Sequence, residues 1–264
     1  AGGDFAAAGP SEAGRSQGIG LTSRRSGPET VAGAAASVLD PGAMARLERE
    51  TAEVYRAAGV DGPHPDVAER LGRYVSMVLK WNATYNLVRV DGPDAFVTRH
   101  LIDSVAAALR FAPGPLIDIG SGAGLPGIVA AALDPARSVV LVDSRLKRTR
   151  FLTAVRAEVG LPGITVVRAR AEALRPGQGM PPVTPAVVTA RAFGALSELI
   201  RVSAGLRGPS TVIQALKARP DAAELEAAAA LGFTVGTERY RIPGYPAERS
   251  VVTLVPRSRE PGAP

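Results

Sequence analysis

The chain has 264 residues, of which 46% are apolar, enough for a sizeable core and for one large α/β domain with a small appendage. It has no cysteine, which excludes structural disulfides, thiolate metal sites, a cysteine nucleophile and a cysteine-bound iron–sulfur cluster. The net charge of +6 is uneven: residues 1–40 carry three Arg against four acids, whereas residues 137–175 carry nine Lys/Arg against three acids, a basic segment that suits either a polyanionic partner or a solvated face.

Residues 1–40 are rich in Ala, Gly and Ser and are expected to form a disordered leader. Ser23-Arg24-Arg25 faintly echoes a twin-arginine export signal, but Gly27-Pro28 follows and the stretch after it is a poor apolar region, so export is not expected. No apolar run approaches the roughly 18 residues that span a bilayer, so no membrane helix is expected.

Helical spacing then predicts an N-terminal helical section over 43–111, with helices at 43–59, 65–80 and 94–111. In the second, Val67, Leu71, Val75, Val78 and Leu79 recur on one face. Ala112-Pro113-Gly114-Pro115 breaks the pattern and opens a second section over 115–256, with 257–264 as a tail. There the elements alternate: strand 115–120, helix from about 124, strand 138–143, helix 145–159, strands 163–169 and 185–190, helix 194–206, strand 209–217 and helix 220–231. Such alternation implies an α/β fold with a mostly parallel sheet and helices on both faces. Two final strands, 233–242 and 250–255, are joined by Pro243-Gly244-Tyr245-Pro246 and predict an antiparallel closing hairpin.

The first strand of the second section runs into Asp118-Ile-Gly120-Ser-Gly122-Ala-Gly124-Leu125-Pro126-Gly127. Glycines remove Cβ atoms where backbone approaches a ligand, and in such sheets ligands bind beyond the C-terminal strand ends. Asp143 ends the second strand 21 residues beyond Gly122, where a carboxylate accepts hydrogen bonds from ribose hydroxyls. Gly122, Gly124 and Gly127 formally satisfy the dinucleotide fingerprint, so a nicotinamide oxidoreductase is one reading. However, Asp118 stands two residues before three alternating glycines, which resembles the first motif of S-adenosylmethionine methyltransferases, and no Tyr has a Lys four positions later as a hydride-transfer relay. S-adenosylmethionine is therefore the expected cofactor.

The acceptor is narrowed by what the chain lacks. Attack at pyrimidine C5 commonly needs a cysteine, and no Asn/Asp-Pro-Pro-aromatic segment follows the fourth strand, which ends Val187-Val-Thr-Ala-Arg191-Ala-Phe193. Arg191 pairs a cationic donor with the stacking surface of Phe193 at a strand end and is the candidate catalytic residue. No general base stands beside it. That suits an acceptor with a free lone pair, such as guanine N7, whose methylation releases no proton.

Together these residues resemble the bacterial 16S ribosomal RNA guanine-N7 methyltransferases, also known as glucose-inhibited division protein B. The resemblance rests on Trp81-Asn82-Ala-Thr-Tyr85-Asn86-Leu87, Arg99-His100-Leu-Ile-Asp103-Ser104, the loop Asp118–Gly127 with its Leu-Pro-Gly ending, Asp143-Ser144, Lys147-Arg148, Phe151-Leu152, Arg170-Ala171-Glu172 and Arg191-Ala192-Phe193, in that order. It spans about residues 43–256 and departs at Leu216-Lys217-Ala218, where the family usually shows Leu-Lys-Gly.

The resemblance implies a Rossmann-like class I methyltransferase sheet and a cofactor site made by Asp118, Gly120, Gly122, Gly124, Leu125, Asp143, Ala171, Glu172 and Arg191. Within it, Gly120 and Leu125 would touch the cofactor, Asp143 the ribose, and Ala171 and Glu172 the adenine, with Arg191 near the methionine end and the guanine. Lys147, Arg148 and Arg150 are candidate RNA-phosphate contacts, and no metal is expected. The expected partner is 16S rRNA or the small ribosomal subunit, met by a monomeric cytoplasmic enzyme away from membranes; a non-catalytic ribosome-assembly factor is the further alternative. His100 is read as a buried structural histidine, and Trp81 and Tyr85 as packing groups at a helix end.

Overall fold

A computed structural model describes residues 39–89 and 92–257, all within the unit Ala36–Pro264. The predicted leader, apart from its last two residues, and the predicted tail, apart from Arg257, lie outside the described residues.

Helix α1 (Pro41–Ala57) starts where Asp40 accepts the amide of Ala43 and Pro41 occupies a position whose N–H has no helical partner. Helix α2 (Asp66–Tyr85) carries Asp66 and Glu69 in its first turn and ends on Asn86 in the left-handed region, at φ 48°. Val67, Leu71, Tyr74, Val75 and Val78 form its fully buried stripe. It extends past the predicted end at residue 80 because Trp81 packs edge-on against Phe151, with ring centroids 5.6 Å apart. The third predicted helix is interrupted: α3 (Pro93–Phe96) passes through a π turn (Val97–Leu101) into α4 (Ile102–Ala108). Such turns widen the ladder by one residue and redirect side chains.

Strands β1 (Leu116–Ile119) and β2 (Val139–Val142) are buried throughout, as central parallel strands are when both faces are covered. Helix α5 (Gly127–Leu133) joins them, and α6 (Leu146–Val159) leads to β3 (Ile164–Val167). A single 3-10 turn (Ala171–Ala173) and a small pair, β4 (Arg175–Pro176) with β5 (Gly179–Met180), were not legible in the sequence. There follow β6 (Val187–Arg191), α7 (Leu196–Val202), β7 (Val212–Lys217), α8 (Ala222–Ala230), β8 (Phe233–Ile242) and β9 (Tyr245–Pro256). Helices α5 and α7 start later than predicted because the residues before them form turns at the strand ends.

The seven-stranded sheet has the order β3-β2-β1-β6-β7-β9-β8. Pairing is parallel from β3 to β7, and β9 runs antiparallel to both its neighbours. This is the expected class I methyltransferase sheet. Strand β9 begins earlier than predicted: Pro243-Gly244 alone makes the hairpin turn, with Gly244 at φ 72°, and Pro246 falls at a register shift that needs no ladder N–H from it.

Alternate strand residues face two cores. Leu116, Val139, Leu141 and Val187 pack with the helices from α1 to α6, so the N-terminal helices and the sheet share one core. Ile117, Ile119, Val140, Val142, Val188 and Ala190 pack with α7 and α8 on the other face. The chain order reverses between β1 and β6, which places the switch point beside the glycine loop.

Candidate cofactor site

The loop leaving β1 is tied to β2, because the amides of Gly120 and Ser121 both donate to the Val142 carbonyl at 2.8 and 3.0 Å. Gly120, Gly122 and Gly124 have φ of 70°, 59° and 98°, a region costly for other L-residues. Their surroundings differ. A Cβ on Gly124 would stand 2.4 Å from Ile128, and one on Gly127 would stand 2.4 Å from Leu141 and 2.8 Å from the Asp118 carboxylate. At Gly120 and Gly122 the nearest atoms are the Phe193 ring, 3.5 Å away, and the Gly120 carbonyl, 3.7 Å away. Two glycines thus leave a cradle open, while two let the loop pack on the core. Tyr74 braces the loop from below, donating its buried hydroxyl to the Ala123 carbonyl at 2.8 Å.

A dinucleotide pyrophosphate needs free amides at the start of the following helix. Here the first of them are spent. Pro126 has no N–H, Gly127 donates to Asp118 Oδ2 at 3.1 Å, and Ile128 donates to the Gly124 carbonyl at 2.7 Å. The formal dinucleotide fingerprint therefore lacks the first amides of an anion site.

Asp118 is fully buried beneath the loop and does not line the cavity above it, so its first task is to hold Gly127. Its Oδ1 is buried with no hydrogen-bond partner. Burial pushes the carboxyl up to about 7, against the opposing pull of the Gly127 amide.

The cavity beside the loop, about 270 Å³, is bounded by Gly120, Asp143, Arg148, Ala171, Glu172 and Phe193 among others. The structure thereby brings together residues from the ends of β1, β2, β3 and β6. Asp143 is nearly fully buried; its Oδ2 accepts from the Gly122 amide at 3.0 Å and its Oδ1 from the Arg145 amide at 2.8 Å. Arg148 donates to Oδ2 at 3.2 Å. Arg148, expected on the RNA side, therefore points into this cavity. Glu172 stands at its far edge on the 3-10 turn, 3.6 Å from Arg201. Gly122, Gly124 and Leu125 are not in the cavity wall; Gly122 shapes it through Asp143, and Gly124 and Leu125 are buried behind it.

Arg191, expected at the cofactor, lines a neighbouring cavity of about 270 Å³ with Asp103, Ala192, Leu216, Lys217, Ala218, Tyr240 and Arg249. Its guanidinium grips the π turn: one nitrogen donates to the His100 carbonyl at 3.0 Å and Ser104 Oγ at 3.1 Å. The other donates to the Arg99 carbonyl at 3.2 Å, lies 2.8 Å from His100 Nδ1 and pairs with Asp103 at 3.3 Å. Burial, then the Arg191 charge, hold the His100 imidazole below its usual range, and its Nδ1 is the acceptor toward an ever-protonated arginine. His100 is half-buried rather than buried, and its bonds to Arg191 give it a place in the packing of the π turn.

The buried carboxylate of Asp103 also accepts from the Tyr240 hydroxyl at 2.9 Å and lies 3.6 Å from Arg249. Tyr240 and Arg249 come from the final hairpin and sequence reasoning missed them. Only the Arg99–Ser104 segment offered a signal for this cluster, because residues 137 positions apart leave no local pattern. Lys147 and Arg150 do not join either cavity: Lys147 lies over the Tyr85 ring at 5.7 Å, and Arg150 borders a shallow depression with Thr153, Val166 and Arg168. Tyr85 in turn packs on Trp81, centroids 5.3 Å apart. Among the described residues no cluster of His and acids could hold a metal ion, and no helix is long and apolar enough to cross a membrane.

A family model described as rRNA small subunit methyltransferase G, GidB, matches residues 67–252. The ribosomal RNA small subunit methyltransferase G of Methylococcus capsulatus is 36% identical over 214 residues, covering 81% of this chain and 99% of that protein. Its namesake in Halorhodospira halophila is 43% identical over 149 residues, covering 56% and 68%. That of Leptothrix cholodnii is 35% identical over 197 residues, covering 72% and 88%.

Proposed function

The chain belongs to the GidB family of rRNA small subunit methyltransferases, and from that membership and the geometry of the site we propose how it works. It is an S-adenosylmethionine-dependent methyltransferase that modifies N7 of a guanine in the RNA of the small ribosomal subunit. The observation that carries the reading is the loop whose first helical amides are spent on Asp118 and Gly124 while its cradle stays open: it suits an adenosine cofactor without pyrophosphate.

The residues present fit that cofactor. Asp143 Oδ2 already accepts from Gly122 and Arg148, whereas Oδ1, with one donor, has accepting capacity left for a ribose hydroxyl, and Ala171 and Glu172 bound the adenine end. Arg148 belongs to this side, where its contact with Oδ2 orients the Asp143 side chain. The Oδ1 of Asp118 is a buried acceptor beneath the loop and outside the cavity wall, so its charge would act on the ammonium group of the methionine end through the loop rather than by contact. Gly122, Gly124 and Leu125 shape the loop.

When bound, the cofactor supplies an electrophilic methyl on sulfonium. Transfer of that methyl to a guanine N7 lone pair would form an N–C bond at the expense of the S–C bond and release no proton, so no base would be required of the chain. What the chain supplies is alignment. Phe193 and Ala192 separate the two cavities, so a base held beside Arg191 would meet the cofactor across this short loop. Arg191 spends its donors on the π turn, which makes it a positioning residue for that wall. Lys147 and Arg150 remain candidates for outlying phosphate contacts, and a monomeric cytoplasmic enzyme is the reading that fits such a substrate.

The test is ligand-induced stabilisation. S-adenosylhomocysteine should raise the melting temperature in a saturable way and NADH should not; the reverse would return the chain to the oxidoreductase reading.

A further inference from the structure

Beyond the cavity of Arg191 lies a second depression, about 350 Å³, lined by Ala218, Arg219, Pro220, Arg239, Glu248 and Ser250. The two share Ala218 and lie along the end of β7 and the final hairpin. Lys217, Ser250 and Arg239 are register partners across β7, β9 and β8, so their side chains leave one face of the sheet, while Arg191, paired with Leu216, and Arg249, paired with Tyr240, leave the other; the two depressions meet round the end of β7 at Ala218. Together the two depressions are lined by five cations, Arg191, Lys217, Arg219, Arg239 and Arg249, against two acids. One of those acids, Asp103, is already engaged by Arg191, Arg249 and Tyr240.

The charges are graded along this path. At the inner end, Arg191 and Arg249 are tied to Asp103, and Lys217 to Glu224 and the Gly194 carbonyl. At the outer end, Arg219 and Arg239 are exposed and no acid pairs with either among the described residues. Unpaired exposed arginines in a groove are donors without acceptors, and their fork geometry matches phosphate oxygens. On the basic face of α6, Arg148 is spent on Asp143 and Lys147 lies over Tyr85; Arg150 is exposed with no acid paired to it among the described residues, but the depression it borders shares no lining residue with the cavity of Arg191.

We infer that the groove formed by the β7–α8 loop and the β8–β9 hairpin is the RNA track: Arg219 and Arg239 hold backbone phosphates flanking the target guanine, and lead the strand into the cavity of Arg191. This rests on the reading of the chain as an RNA methyltransferase. It assigns the principal phosphate contacts to the C-terminal hairpin rather than to α6.

The experiment uses the full chain with small-subunit rRNA, comparing wild type with Arg219→Ala/Arg239→Ala, the charge-retaining Arg219→Lys/Arg239→Lys, Arg150→Ala and the exposed control Arg156→Ala. The alanine pair should raise KM for RNA about tenfold and flatten the log–log salt slope by about 2, one for each lost phosphate contact, with S-adenosylhomocysteine binding unchanged. The lysine pair should recover most of the slope. An unchanged KM and slope in the alanine pair overturns the track, as does a loss of the same size in Arg156→Ala or a larger one in Arg150→Ala. If the alanine pair also weakens cofactor binding, the lysine pair decides: failure to recover overturns the inference. A wild type that binds cofactor but transfers no methyl to RNA removes the underlying reading, and the track with it.

Discussion

Arg191 and His100 are joined twice, through the His100 carbonyl at 3.0 Å and through Nδ1 at 2.8 Å from the guanidinium. The end of β6 is thereby fastened to the π turn 91 residues earlier, and the imidazole must be neutral for the second link to exist.

Acid should break this link. A histidine held below its usual range when folded contributes stability that is present above about pH 6.5 and lost as pH falls, because the unfolded chain takes up the proton first. Between pH 7 and 5 the melting temperature of wild type should fall relative to that of His100→Asn, whose side chain retains an acceptor but does not titrate. Parallel curves for the two proteins would show that His100 carries no such linkage.

Asp118 predicts the opposite sign. Its carboxyl, pushed up to about 7 by burial, is protonated when folded where the unfolded chain is ionised, so stability declines as pH rises from about 4 to 7. Compared with Asp118→Asn, wild type should lose melting temperature across that window. Cofactor affinity should rise with pH through about 7, because an ammonium favours the ionised carboxylate. Isothermal titration with S-adenosylhomocysteine at several pH values checks this, and Asp118→Asn should abolish the trend.

The glycines separate stability from binding. Gly127→Ala places a Cβ 2.4 Å from Leu141 and 2.8 Å from Asp118, which should cost about 1–3 kcal/mol of stability in urea unfolding. Gly122→Ala meets nothing closer than 3.7 Å and bears only the left-handed backbone cost of about 1–2 kcal/mol, yet its methyl enters the neighbourhood of Asp143 and Arg148. It should lose cofactor affinity at least tenfold while remaining folded. Equal affinity in both variants would contradict the division of roles.

Asp143→Ala removes the acceptor for two backbone amides and for Arg148 as well as the proposed ribose contact. Cofactor affinity should fall about 10- to 100-fold, in line with the loss of charge-assisted hydrogen bonds worth about 1.5–3 kcal/mol. An affinity within twofold of wild type would move the ribose elsewhere.

The parallel sheet was legible because its strands are continuous apolar runs separated by amphipathic helices and ended by glycines, all local signals. So was the pairing of loop and acid: Gly122 and Asp143 stand 21 residues apart because one βαβ unit has that length, and they meet at 3.0 Å. The π turn was not legible, since Val97–Leu101 carries ordinary helical spacing and its geometry follows from the grip of Arg191. Nor was the true place of Arg148, whose i to i+5 reach to Asp143 depends on the turn before α6. The cluster of Asp103 with Tyr240 and Arg249 joins the first helical section to the last hairpin, and no single window of sequence contains both.

The central claim is methyl transfer to guanine N7. It is tested most directly by incubating the protein with small-subunit rRNA and methyl-labelled S-adenosylmethionine, then mapping the label by nucleoside analysis. The account predicts one guanine labelled at N7, with labelling by Asp143→Ala reduced at subsaturating cofactor. Label on an exocyclic nitrogen, a ribose or a pyrimidine, or RNA left unlabelled by a protein that binds the cofactor, would contradict it.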